Sequence, residues 1–119
     1  MRIFRFEDGE SFKTLGGLIR WVVWPKTGAK NVTLHYAVLE PGQVFASHSH
    51  KYSEDVITVI QGKGRIKSDK QVHEIEAGMV VYVDAKEPHE VTNTGDVPMI
   101  MIGSQGPPDL DLYRRSGKL

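Results

Sequence analysis

The sequence predicts a single all-β domain, folded as a sandwich or closed barrel. About ten short apolar or alternating segments follow one another, each ended by Gly, Pro, Asn or Asp, as in antiparallel β-architectures. No window carries a helical apolar period of useful length. With 119 residues the chain can bury one core but not two. One domain therefore spans 1–119, with a barrel core over about 32–104, outer strands within 2–24 and a tail over 105–119.

The elements are taken in order. Residues 2–6 alternate, with Phe4 and Phe6 on one side and Arg5 and Glu7 on the other, and Asp8-Gly9 ends that strand. Residues 18–24 are apolar and β-branched up to Pro25, which cannot continue a ladder. Residues 32–40 form the next strand, stopped by Pro41-Gly42, and residues 55–61 a buried one, turned by Gly62-Lys63-Gly64. Residues 65–67 and 71–75 flank Ser68-Asp69-Lys70 as a hairpin. Residues 79–83, 89–92 and 99–104 complete the set. The tail is a strap across the barrel mouth, an oligomer contact or a partly ordered end.

Composition narrows the function. Fifteen basic and fifteen acidic residues balance, which argues against nucleic acid or an anionic membrane as the main partner. There is no cysteine, so disulfides, thiol catalysis and thiolate zinc sites are excluded, and any metal must be held by nitrogen and oxygen. No apolar run has the length of a signal peptide or a membrane span, so a cytoplasmic location is the expectation.

The candidate chemistry centres on Gly42 to Asn93. On an extended strand, residues i and i+2 share a face, so His48 and His50 present two imidazoles side by side. The acidic pair Glu54-Asp55 follows, and His89 comes later on another strand. Three histidines and a carboxylate on separate strands of one barrel can close around a single ion. His35 can line the same cavity, although a packed role is the simpler reading. His73 is expected at the surface. Tyr36, Tyr52, Tyr82, Trp21 and Trp24 can form an aromatic pocket around a ligand, although core or barrel packing is the simpler reading of each.

Together these residues resemble the cupins. Their first motif is G-x5-H-x-H, then three or four residues, an acid, six residues and a glycine. Gly42, His48, His50, Glu54-Asp55 and Gly62 stand in those places. The second motif, G-x5-P-x-G-x2-H-x3-N, is met by Gly78, His89 and Asn93, with Asp84 replacing the proline and Lys86 the second glycine. The 15 residues between Gly62 and Gly78 match the short segment of small microbial members.

The resemblance implies a double-stranded β-helix (jelly-roll) barrel holding one metal ion through His48, His50, one acid and His89. Four residues separate His50 from Asp55 and six separate Asp55 from Gly62, so both ends of the motif agree on it, whereas Glu54 needs three after His50 and seven before Gly62. Alternation lets only one of the two face inward. Asp55 is the expected ligand and Glu54 the alternative. Such a nitrogen-rich set suits a divalent Fe, Mn, Ni, Cu or Zn ion, and the ligand histidines must be neutral, so affinity falls below about pH 6.5. The implied function is a metal-dependent enzyme, a dioxygenase-type oxidoreductase, acting on a small oxygenated molecule. A non-catalytic binding or sensing protein and a metal-assisted isomerase or decarboxylase are the alternatives. Similar small cupins pair through their sheets, and a Phe4/Phe6 strand would offer an edge for a homodimer.

Overall fold

The computed structural model describes residues 1–13 and 16–119. Among the described residues ten strands form two antiparallel sheets: β1 Glu10–Lys13, β2 Leu18–Val23, β3 Leu34–Leu39, β4 Val44–His48, β5 Glu54–Gln61, β6 Lys63–Lys67, β7 Val72–Glu76, β8 Val80–Val83, β9 His89–Asn93 and β10 Met99–Gly106. One sheet has the order β1-β2-β3-β10-β5-β8, and the other β4-β9-β6-β7. This is the jelly-roll barrel that the motifs imply. Among the described residues no helix is long and apolar enough to cross a membrane.

Period-two patterning decides what faces inward. On β5, Asp55, Ile57 and Val59 are buried, while Glu54, Val56 and Ile60 are exposed. On β10, Met99, Met101, Gly103 and Gln105 are buried in turn. The inward residues of both sheets, among them Leu39, Val59, Ile66, Val83, Val91 and Met101, meet as one apolar core. Removing such side chains from water is the main term holding the sheets together. Asn93 plugs one end: its Nδ2 donates to the carbonyls of Leu39 and Val97, and its Oδ1 accepts from Gly95 N–H. The motif asparagine is thus a structural clamp. Gly62, at φ 85°, turns β5 into β6, and a Cβ there would meet the Pro98 carbonyl oxygen at 3.1 Å. The hairpin at Ser68 forms as expected, closed by Ser68 N–H on the Gln71 carbonyl.

Three expectations are corrected. Residues 2–6 form no strand; Phe6–Asp8 is a 3-10 turn, with Phe6 stacked on Tyr36 at 4.9 Å. The outer strand is instead β1, which pairs with β2 and takes the edge position. Alternation over so few residues says nothing about whether a partner strand is available, and Asp8-Gly9 opens the first strand and does not close it. The edges of the larger sheet are therefore β1 and β8, and residues 2–6 provide no edge strand. Second, the chain does contain a helix, α1 Leu110–Arg115, capped by Asp109. Six residues are too few to leave a readable apolar period. Third, β10 runs on to Gly106, so the barrel extends beyond residue 104 and the tail begins later.

The tail is a strap. Ser53 Oγ donates to the Pro107 carbonyl, fixing its start. α1 then turns Tyr113, fully buried, into a cluster with Phe12, Trp21 and Trp24. Tyr113 meets Trp21 at 4.9 Å and Trp24 at 5.1 Å between ring centroids, both edge-on, the arrangement the ring quadrupoles favour.

Candidate metal centre

Between the core and the aromatic cluster lies a cavity of about 410 Å3. Its walls are largely apolar, including Ile19, Trp21, Phe45, Met101 and Leu112, and His48, His50, His89 and Asp55 also line it. β4 brings in His48, whose register partner on β9 is His89. His50 lies two residues beyond the end of β4, so the two motif histidines do not share a strand face as the spacing suggested. They converge all the same. Ring centroids are 5.1 Å apart for His48 and His50, and 4.2 Å for His48 and His89. One nitrogen from each of the three lies within 4.8 Å of the other two, a group able to hold a metal ion.

The outer nitrogens are all engaged. Nδ1 of His48 lies 2.8 Å from the Ala46 carbonyl, Nδ1 of His89 lies 3.1 Å from the Glu87 carbonyl, and Nδ1 of His50 lies 2.7 Å from Asp109 Oδ2. Each acceptor holds a proton on Nδ1 and directs Nε2 at the cavity, the orientation of metal-ligating imidazoles. Asp55 Oδ2 sits 3.2 Å from His50 Nε2 and 3.4 Å from His89 Nε2. Its other oxygen is buried without a hydrogen-bond partner among the described residues. A cation fits such a set: three imidazole nitrogens, an ionised carboxylate and an orphaned buried acceptor.

The acidic pair separates cleanly. Asp55 is 4% exposed and faces the histidines. Glu54 is exposed on the outer face and accepts a hydrogen bond from the Tyr82 hydroxyl. Burial would raise the Asp55 carboxyl, but hydrogen bonds and charge from His50 and His89 hold it well below the usual carboxylate range. Burial would likewise lower His50, but its contacts with Asp55 and Asp109 outweigh that and raise it. His48, though open toward the cavity mouth, is lowered by desolvation of its ring and by neighbouring His89.

Two further polar side chains flank the centre. His35 lines the cavity with its ring 4.6 Å from Trp21, across the surface of Gly103, where a Cβ would lie 2.2 Å from His35 Cε1. Burial pushes His35 down to about 4, with Asp55 opposing and His50 and His48 adding to the effect. Its Nδ1 has no hydrogen-bond partner among the described residues. Gln105, 3% exposed, places its amide nitrogen 3.2 Å from His50 Nε2, and its Oε1 is also without a partner among the described residues. Sequence reasoning missed Gln105 because the strand was ended at residue 104; its inward parity with Met99, Met101 and Gly103 was the available signal. His73 is exposed and bonded to Gln71. Tyr52 and Tyr82 are exposed, and of the candidate aromatics only Trp21 lines the cavity.

The turn before His89 keeps its shape despite losing the motif glycine. Lys86 adopts φ 70°, the left-handed conformation a glycine would take freely, and its N–H donates to the His50 carbonyl at 2.7 Å. For a side-chain residue that conformation costs about 1–2 kcal/mol, against roughly 0.5–1 kcal/mol of extra chain entropy for glycine. Lys86→Gly is therefore expected to raise the unfolding free energy by about 0.5–1 kcal/mol in urea titrations. An unchanged or lower midpoint would contradict strain at Lys86.

Comparison with known proteins agrees with this geometry. The cupin-domain family model matches residues 35–103, the stretch that carries every candidate ligand. Protein SchB of Streptomyces halstedii is 32% identical over 114 residues, covering 92% of this chain and 83% of that protein. Polyketide synthase CurC of Streptomyces cyaneus is 27% identical over 104 residues, covering 85% of this chain and 66% of that protein. A Klebsiella pneumoniae protein with a double-stranded β-helix domain superposes with a TM-score of 0.77 at 23% identity, over 92% of each chain. Sequence, barrel and histidine cluster lead to one assignment: the chain belongs to the cupin family.

Proposed function

We propose that the protein is a metal-dependent enzyme acting on a small, largely apolar molecule that carries oxygen donors. The observation behind this is the convergence of three imidazoles, each with its outer nitrogen already hydrogen-bonded, at one wall of an apolar cavity. His48, His50, Asp55 and His89 would hold one divalent transition ion. Bound there, the ion supplies Lewis-acid or redox chemistry at a substrate oxygen.

The chain's own residues supply the rest. Ile19, Trp21, Phe45 and Leu112 surround the organic part of a ligand and exclude water from it. His35 Nδ1 and Gln105 Oε1, unpartnered among the described residues, can hydrogen-bond polar atoms of that ligand. A small dicarboxylate would lose its hydration against these walls and fill little of the space. A diketone, enediol or phenol with an apolar body suits them better, and a relative named as a polyketide synthase points to the same kind of molecule.

Dioxygenase-type turnover is the first reaction to test. The metal-loaded protein would be screened against diketones, catechols and aromatic polyketides, in air and under nitrogen. Product formation with oxygen uptake supports the dioxygenase reading, and product formation under nitrogen transfers it to an isomerase or cyclase. Binding without turnover in either atmosphere would contradict the enzyme reading and leave a binding protein.

A further inference from the structure

We propose that Asp109 is a positioning residue for His50, and that through it the C-terminal strap is coupled to metal binding; this rests on the metal-centre reading above. The three histidines are not held alike. His48 and His89 each use the backbone carbonyl two residues earlier, Ala46 and Glu87, so the local chain sets their rings. His50 has already left β4, and its Nδ1 is held by a carboxylate 59 positions further along the chain. Its orientation depends on where the strap is.

Asp109 has two tasks, one for each oxygen. Oδ2 accepts from His50 Nδ1–H at 2.7 Å. Oδ1 accepts from Leu112 N–H at 3.2 Å and so caps α1. That helix seats Tyr113 in the aromatic cluster and Leu112 in the cavity wall. A carboxylate on the outer nitrogen fixes the tautomer of a ligand imidazole and raises its basicity, and loss of such a partner weakens metal binding about 10–100-fold. Because coupling is reciprocal, a metal that draws His50 into place also favours the docked strap.

Asn at this position separates the two tasks. It remains a good helix cap, but it offers one oxygen for two N–H donors. An amide NH2 facing His50 Nδ1 demands the opposite tautomer, with the proton on Nε2, where a metal would bind.

The test titrates the full-length wild type, Asp109→Asn and Asp109→Ala with Mn(II) and Zn(II). It also records the 15N shifts of the His50 ring at alkaline pH and amide exchange over residues 110–116. In the wild type His50 should carry its proton on Nδ1, and metal should slow exchange across the strap. Asp109→Asn should fold normally, lose about 10–100-fold in metal affinity and shift the His50 tautomer toward Nε2–H. Asp109→Ala should lose affinity and strap protection together. Wild-type affinity and an unchanged tautomer in Asp109→Asn would overturn the role of Asp109 while leaving the metal centre standing. A wild type that takes up neither metal contradicts the metal-centre reading instead, and the metal-free His50 tautomers still decide the Asp109 contact.

Discussion

Asp55→Asn should reduce transition-metal affinity by roughly 100-fold or more, whereas Glu54→Gln should leave it within about twofold. The two residues are neighbours in sequence and opposites in space. Asp55 Oδ2 lies 3.2 Å from His50 Nε2 and 3.4 Å from His89 Nε2, and among the described residues it is the one carboxylate lining the cavity. Glu54 points outward to Tyr82. Removing the Asp55 charge takes away the one anionic group of the proposed ligand set. Calorimetric titration with Mn(II) or Zn(II) reads both variants directly. Loss with Glu54→Gln and retention with Asp55→Asn would reverse the assignment.

The same carboxylate has a consequence for the metal-free protein. Its folded-state pKa lies below its unfolded value, so its contribution to stability is present above the ordinary carboxylate range. That contribution is lost as pH falls through the lowered folded value, because the unfolded chain then takes up the proton first. Asp55→Asn should therefore show a shallower loss of stability in acid than the wild type. An equally steep acid limb would mean that the carboxylate is not held ionised by His50 and His89.

Trp24→Ala should destabilise the protein by about 3–5 kcal/mol, a large share of the roughly 5–15 kcal/mol typical of a domain. Trp24 is 1% exposed and lies 5.6 Å from Phe12, 6.4 Å from Trp21 and 5.1 Å from Tyr113 between ring centroids. The four rings join β1, the end of β2 and the strap, so the loss falls on the packing that holds these segments together. The cavity left behind cannot be filled by backbone on ladders already paired. Denaturant unfolding would show a lower midpoint at nearly unchanged slope. A cost under about 1 kcal/mol would mean that the strap and β2 repack freely.

Much of the barrel could be read from the sequence because its signals are local. Strands β5 and β8 are short β-branched or aromatic runs and β9 alternates within a few residues, and the glycines that turn the chain stand beside β5 and β8. The ligand candidates were readable for the same reason: G-x5-H-x-H and the later histidine are spacings along short stretches. What escaped depends on distant pairing. Residues 2–6 alternate as well as any strand, but the edge of the sheet goes to β1, which has a partner in β2. His50 stands off the strand because the chain there turns toward Asp55 and the strap. Asp109 looked like an ordinary tail residue, although Pro-Pro-Asp before a short apolar run is a helix-start signal. Its use is set by His50, which no local pattern connects to it. The aromatic cluster escaped similarly, since Tyr113 meets Trp21 and Trp24 only when the whole barrel has formed.

The most direct measurement is the metal content of the wild-type chain after incubation with Mn, Fe, Ni, Cu or Zn and removal of free ion by gel filtration. The histidine geometry predicts close to one transition ion per chain, absent from His48→Ala and His89→Ala. No retained metal in the wild type, or equal metal in those variants, would contradict a metal centre at this site.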